Sequence, residues 1–351
     1  MKGKRVTIYD LASALGISAS YVSRALNNHP SISDKMKSLV KAKATELNYK
    51  HNSHAANLRR GSSRTIGVIV PKINENFFAQ AIAGIEEICF ANDHSLIICQ
   101  SDESFKKEQI AVETLIRKNV DCILISVSLE TTTSAHLQEI LQHHIRLVQF
   151  DRYLGDIDSF IITNDNRQTA YNATRHLIKQ GYRRIAFFGG PDHITVFKNR
   201  KEGFLDAMRE AGLAVPYDFV VENALSKEAG ARAATQLLAL KEPPQAVFAA
   251  SDYGALGAMQ VARAMNIKMP EQLGLIGFAN EEFTELIQPA LSTVDQKSRE
   301  LGRCAANLYF TKLLDKKMNE KPSVQIIESR IMIRESSSMA VKQKITDAQV
   351  S

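Results

Sequence analysis

The stretch Ile17 to Asn27, ISASYVSRALN, decides how the rest of the chain is read. Taken as a helix with Ser18 as N-cap, it has Ile17 before the cap and Val22 at the fourth helical position, the spacing of a hydrophobic staple. Val22, Ala25 and Leu26 fall on one side, and Ala19, Ser20, Ser23, Arg24 and Asn27 fall on the other. That second side carries small groups and one Arg in place of the long Lys and Glu chains common on solvated helices. A helix so dressed can sink into a groove.

Working outward, Thr7 with Asp10 three residues on reads as a capping box, and Ile8, Leu11, Ala12 and Leu15 repeat at helical spacing until Gly16 breaks it. A third helix is expected from Ser33 to about Leu47, with Met36, Leu39, Val40, Ala44 and Leu47 turned inward. Two short helices across a tight Gly turn, closed by a third, make a helix-turn-helix unit whose second helix enters the major groove. Charge supports this. Residues 1–64 hold 12 Lys/Arg against three acidic residues, a net +9, whereas the remainder holds 32 against 35. A basic excess confined to a small N-terminal unit points to a polyanion partner there.

The run VTIYDLASALGISASYVSRALNNHPSISDKMKSLVKAKATELNY (6–49) resembles the headpiece of the LacI-type (LacI/GalR) bacterial transcription regulators, down to VSRALN and the Asn-Tyr ending the third helix. The resemblance extends through Glu335. It implies a headpiece over residues 1–50 that contacts operator DNA through Thr7, Ser18, Ala19, Ser20 and Tyr21, and through Ser23, Arg24, Asn27 and His29. Residues 51–64 begin HNSHAANLRRGSS, too short to hold a helix alone, and resemble the family's hinge. The hinge folds on DNA and places a leucine, here Leu58, in the minor groove, with Asn52, Ala55 and Arg59 as further contacts. His51 departs from the proline usual at that position.

From Thr65 the pattern changes to short apolar runs alternating with amphipathic helices. Strands are expected at 66–70, 96–100, 122–126, 146–150, 160–163, 184–189, 246–250 and 273–278. Helices are expected between them, for example Phe78 to Ala91, Glu108 to Lys118, Gln168 to Gly181, Arg200 to Ala211 and Leu256 to Asn266. This alternation is that of doubly wound parallel sheets. The expected fold is α/β, a helix-turn-helix headpiece plus a periplasmic-binding-protein-like core of two doubly wound parallel-sheet subdomains. By resemblance, one subdomain takes about 65–164 and 293–322 and the other about 165–292 and 323–336, with crossings near Asn164, Ser292 and Pro322. The run VQIIESRIMIRE (324–335) is expected in the second. Residues 337–351 are expected to be a disordered tail, too short and polar for a tetramerisation helix, which leaves a homodimer.

Ligands in such sheets sit beyond the carboxyl ends of the strands. There the sequence places Phe77, Phe78, Asp102 and Asp151, then Arg200, Ser251, Asn280 and Gln296, which form the candidate effector set. Asp151 and Arg200 match family positions that bind sugar hydroxyls or an equivalent polar ligand. A carboxylate accepts from paired hydroxyls and a guanidinium donates back in a fixed fork. Phe77 and Phe78 offer a flat face to a ring. Asp165 and Asp252 read as helix caps, and Ala279 replaces an aspartate common in the family.

Other classes fit less well. There is no GxGxxG after the first strand, no P-loop, no GxSxG and no metal-ligand spacing, so neither an enzyme nor a cofactor is expected. Cys89, Cys99, Cys122 and Cys304 are scattered through apolar patterns and read as reduced core residues. The start MKGKRVTIYD has no apolar signal segment and no apolar run is long enough to span a bilayer. A cytoplasmic protein is therefore expected, and a secreted solute-binding protein, the alternative for such a core, is disfavoured.

Overall fold

The computed structural model describes residues 6–49, 62–314 and 321–339, so Asn52, Ala55, Leu58 and Arg59 of the expected hinge lie outside the described residues. Residues 340–351 of the expected tail also lie outside them, but its first residues are not disordered: Ser337 is buried, with its Oγ 2.7 Å from Ser292 Oγ and 2.8 Å from His176 Nε2. The chain divides into two compact units, Met1–Ser63 and Arg64–Ser351.

In the first unit, α1 (Ile8–Leu15) starts from a capping box, in which the Asp10 N–H donates to Thr7 Oγ1 and the Thr7 N–H donates to Asp10 Oδ2. It ends at Gly16, whose φ of 64° is the left-handed conformation that a side chain disfavours. Helix α2 (Ala19–Leu26) is capped by Ser18, whose Oγ accepts from the Tyr21 N–H at 3.2 Å. With α3 (Asp34–Glu46) these helices enclose Leu11, Ala12, Val22, Ala25, Val40 and Ala44. Leu39 is the exception to the expected core. It is 51% exposed, because an inward arc centred on Val40 and Ala44 leaves position 39 about 100° away.

The second unit holds two parallel sheets. In the first sheet β1 (Thr65–Val70), β2 (Ser95–Gln100), β3 (Cys122–Ile125), β4 (Arg146–Phe150) and β5 (Phe160–Asn164) run in the order 5-4-3-1-2. They alternate with α4 (Asn76–Ala91), α5 (Phe105–Arg117) and α6 (Ala135–Gln142). In the second, β6 (Ile185–Phe188), β7 (Val220–Val221), β8 (Ala246–Ala249) and β9 (Gly274–Ile276) run 7-6-8-9. Its helices are α7 (Asn166–Lys179), α8 (Thr195–Glu210), α9 (Lys227–Leu238), α10 (Asp252–Ala264) and the short α11 (Phe283–Leu286). The central strands β1, β3 and β6 are apolar and buried along nearly their whole length, as strands covered on both faces must be, whereas the edge strand β2 is only partly buried.

The chain crosses between the sheets after β5 and again at β10 (Thr293–Asp295), which leads into α12 (Ser298–Leu308) and a π-helical turn, Tyr309–Leu313. Here one expectation is corrected. The strand β11 (Val324–Ile327) belongs to the first sheet, where it pairs in parallel with β5. Only β12 (Arg330–Met332) goes with the other side, antiparallel to β10. The last crossing therefore follows Ile327, not Pro322. Pairing β11 covers the edge of β5, whose N–H and C=O groups would otherwise lack partners.

Candidate DNA-reading face and effector cleft

On α2 the residues Ser20, Arg24 and Asn27 form one exposed stripe at i, i+4 and i+7. Thr7, Ser18 and His29 are exposed beside it, while Ala19 and Tyr21 are half-buried. Ser23, expected on the outer side, is buried, because α2 packs on both α1 and α3 and its inward arc widens to include Val22 and Ser23 together. Two of the polar side chains are partly committed. Asn27 Nδ2 donates to the Ser23 carbonyl at 2.7 Å, and Ser18 is the N-cap. The Arg24 guanidinium lies 5.8 Å from the centre of the Tyr21 ring and is the long donor of the stripe.

In the second unit a cavity of about 490 Å³ lies at the carboxyl ends of both sheets. Of the expected effector residues it brings together Phe77, Phe78, Asp151, Arg200, Ser251 and Gln296. Phe77 and Phe78 sit in the first turn of α4, edge to face with ring centres 5.0 Å apart. Asp151 follows β4 in the left-handed region at φ 56° and accepts from Gln296 Nε2 at 3.4 Å. Burial pushes its carboxyl above the usual range, opposed by Arg152 and Arg200. Arg200 lies in the second turn of α8, not at its start. Its Nε donates to Asn166 Oδ1 at 2.8 Å and its Nη1 to the Ala250 carbonyl at 2.9 Å, over the Phe278 ring at 3.7 Å. Burial lowers its pKa to about 10. Those two bonds leave Nη2 to donate to a bound molecule.

Two expected residues stand elsewhere. The turn after β2 takes Asp102 and Glu103 through the left-handed region, and it is Glu103 that lines the cavity. Asp102 is exposed and accepts from Lys107 Nζ at 2.9 Å, which holds its carboxyl below the usual range. Asn280 is drawn away from the cavity by Arg334, whose Nη2 donates to Asn280 Oδ1 at 2.9 Å. The cap assignments divide as well. Asp165 caps α7, but Ser251 caps α10, and Asp252 is buried behind it, accepting from Thr293 Oγ1 at 2.6 Å and the Glu281 N–H at 2.9 Å.

The sequence reading missed Glu103 and Phe197. Arg152 Nη1 donates to both Glu103 oxygens at 2.9 Å, and its guanidinium stacks between the rings of Phe78 and Phe197, at 5.6 and 5.3 Å. Phe197 lies three residues before Arg200, one helical turn away on the same face, a spacing that carried the signal. The two serines of the lining, Ser226 and Ser251, are both helix N-caps, and no His or Cys lies among the described lining residues. Hydrogen-bonding groups set among aromatic faces suit binding of a small polar molecule.

A helix-turn-helix unit with an exposed Arg-bearing stripe, joined to a two-sheet body with a polar and aromatic cleft, defines a ligand-responsive DNA-binding regulator. Residues 7–52 match the model of bacterial regulatory proteins of the lacI family, and residues 174–337 match that of periplasmic binding protein-like domains. The chain is 34% identical to the HTH-type transcriptional regulator DegA of Bacillus subtilis, over 85% of this chain and 88% of that one. It is 32% identical to the HTH-type transcriptional repressor CytR of Escherichia coli, over 89% and 92%. The solved lac repressor dimer bound to operator and an anti-inducer has the same fold, with a TM-score of 0.83 at 22% identity over 95% of this chain and 100% of that one. The cellobiose complex of the transcriptional regulator CelR aligns at 0.72, with 25% identity over 95% and 100%. The chain belongs to the LacI family, and it is a DNA-binding transcriptional regulator. Its relatives are regulators, not enzymes, and no described helix is long and apolar enough to cross a membrane.

Proposed function

We propose that this protein is a cytoplasmic homodimer that represses carbohydrate-utilisation genes, and that a sugar or sugar derivative in the cleft sets its affinity for operator DNA. The observation that carries this reading is the meeting of Asp151, Arg200 and Gln296 with Phe77 and Phe78 in one cavity at the strand ends. A carboxylate acceptor and a guanidinium donor match the paired hydroxyls of a sugar, and the rings match its apolar face. Two headpieces on a two-fold axis read a pseudo-palindromic operator, with Lys and Arg contacts to phosphate giving affinity and the Ser20–Arg24–Asn27 stripe giving base choice. Effector binding changes the angle between the subdomains and so decides whether the two hinges pair and fold on DNA.

The test is a thermal-shift screen of neutral sugars, repeated on a variant carrying Asp151→Asn and Arg200→Lys. A ligand at 100 times its Kd stabilises the folded state by about 2.7 kcal/mol, a shift of several degrees. The expected result is a sugar-dependent shift and a sugar-dependent change in operator affinity in the wild type, with both responses lost in the variant while operator binding is retained. A response that survives in the variant places the effector elsewhere.

A further inference from the structure

The N-terminus of α4 forms part of the cleft wall, and the first N–H groups of a helix have no partner within it. Its own N-cap residue, Glu75, makes no side-chain cap bond. The cap comes from 205 residues away, across the cleft. Glu281 Oε2 accepts from the Asn76 N–H and Oε1 from the Phe77 N–H, both at 3.1 Å. The hydroxyl of Tyr253 donates to the same carboxylate at 3.5 Å. Glu281 is buried, and its own N–H donates to Asp252 Oδ2, which ties it to the second subdomain.

A helix N-terminus facing a cavity is where the phosphate or carboxylate of a ligand binds, through free N–H groups and the favourable end of the helix dipole. In this cleft that position already holds a carboxylate. Two of the cations nearest this helix end already lie beside carboxylates. Arg152 Nη1 donates to both oxygens of Glu103, and Lys72 lies 3.8 Å from Glu75, whereas Arg200, with Nη2 not bonded within the protein, and Lys227 also line the cavity.

We propose that Glu281 occupies the anion position at the α4 end of the cleft, and thereby selects a hydroxyl-bearing part of the effector there and rejects a phosphate or carboxylate at that end. This rests on the reading that the effector binds in this cavity. Because Glu281 and α4 belong to different subdomains, the same contact fastens the cleft shut. An anionic group at this helix end has to displace it, so it meets both a like charge and the cost of opening.

The experiment uses the full chain, as wild type, Glu281→Ala and Glu281→Gln, with inorganic phosphate as the probe at constant ionic strength. Hydrogen exchange is followed at the amides of Asn76 and Phe77. In the wild type these amides are protected, and phosphate leaves them unchanged. In Glu281→Ala they exchange about tenfold faster or more, as expected when hydrogen bonds to a charged acceptor are lost, and millimolar phosphate restores protection. Glu281→Gln, which keeps one acceptor oxygen, exchanges at an intermediate rate and guards against a folding defect in the alanine variant. Unprotected amides in the wild type, or equal phosphate protection in wild type and Glu281→Ala, would overturn the proposal, as would failure of phosphate to protect Glu281→Ala. A second arm compares neutral sugars with their phosphates on the wild type, and tighter binding of a phosphate that changes exchange at Asn76 and Phe77 also overturns it. If no sugar binds at all, the effector reading fails while the phosphate arm still decides the role of Glu281.

Discussion

In the proposed reading Arg24 carries most of the burden of base choice, since Ser20 is short and Asn27 is bonded to its own helix. Replacing Arg24 with Ala is expected to cost about 1–3 kcal/mol at one position per half-site and to relax preference there. Lys35 is exposed and is proposed to contact phosphate, so Lys35→Ala is expected to weaken binding evenly across sequences and lower the salt slope by about 1. Binding titrations on operator variants at fixed salt separate the two. A different kind of prediction belongs to Asp252, whose carboxyl burial pushes up to about 7 despite the bonds from Thr293 and Glu281. The folded state then holds a proton that the unfolded chain releases at lower pH, so this group's stabilisation is full below its unfolded pKa and is lost as pH rises through about 7. Between those limits stability falls with rising pH, and Asp252→Asn removes that part of the slope. Melting midpoints measured across the window for both proteins check the sign. Neither the burial of Asp252 nor its distance from the helix-cap role was legible locally, because its partners come from residues 281 and 293.

At the scale of elements, helical and strand periods were readable because each element must bury one face, and the parallel sheets followed from their alternation. The helix starts were less so. Helix α8 starts at Thr195, five residues before the expected Arg200, and its first turn puts Val196 and Phe197 on the cleft lining. Close helix pairing was also not visible. Helices α4 and α12 approach so closely that a Cβ on Gly302 would lie 2.0 Å from the Ala81 carbonyl oxygen, and one on Gly84 would lie 2.1 Å from that of Arg299. Gly302→Ala is therefore expected to cost about 1–3 kcal/mol by overpacking. Gly155→Ala, where a Cβ meets nothing within 4 Å, is expected to stay within about 0.5 kcal/mol of wild type. Urea midpoints at equal m-value report the difference.

For the whole molecule, the three strand crossings meet at one side chain. Asn164 Nδ2, at the end of β5, donates to the carbonyls of Gln296 at 3.0 Å and Ile327 at 2.9 Å, and its Oδ1 accepts from Gln296 Nε2 at 3.1 Å. A side chain tied to all three crossings is placed to act as the pivot of the proposed motion between the subdomains. Asn164→Ala leaves two buried carbonyls without these donors, at about 1–3 kcal/mol each. The expected outcome is a melting point several degrees lower together with a weaker effector effect on operator affinity; an unchanged effector effect would remove Asn164 from the hinge.

By itself the amino-acid sequence determined the headpiece, the alternation that makes two parallel sheets, and the side chains that gather at the strand ends, because these depend on periodicity, caps and charge within short spans. Tertiary structure decided which sheet receives Val324–Ile327, that Glu103 and not Asp102 faces the cavity, and that Glu281 closes the end of α4. Each of these depends on groups brought together from distant parts of the chain, where an open strand edge, a left-handed turn or an unpartnered helix end takes whichever partner the fold delivers.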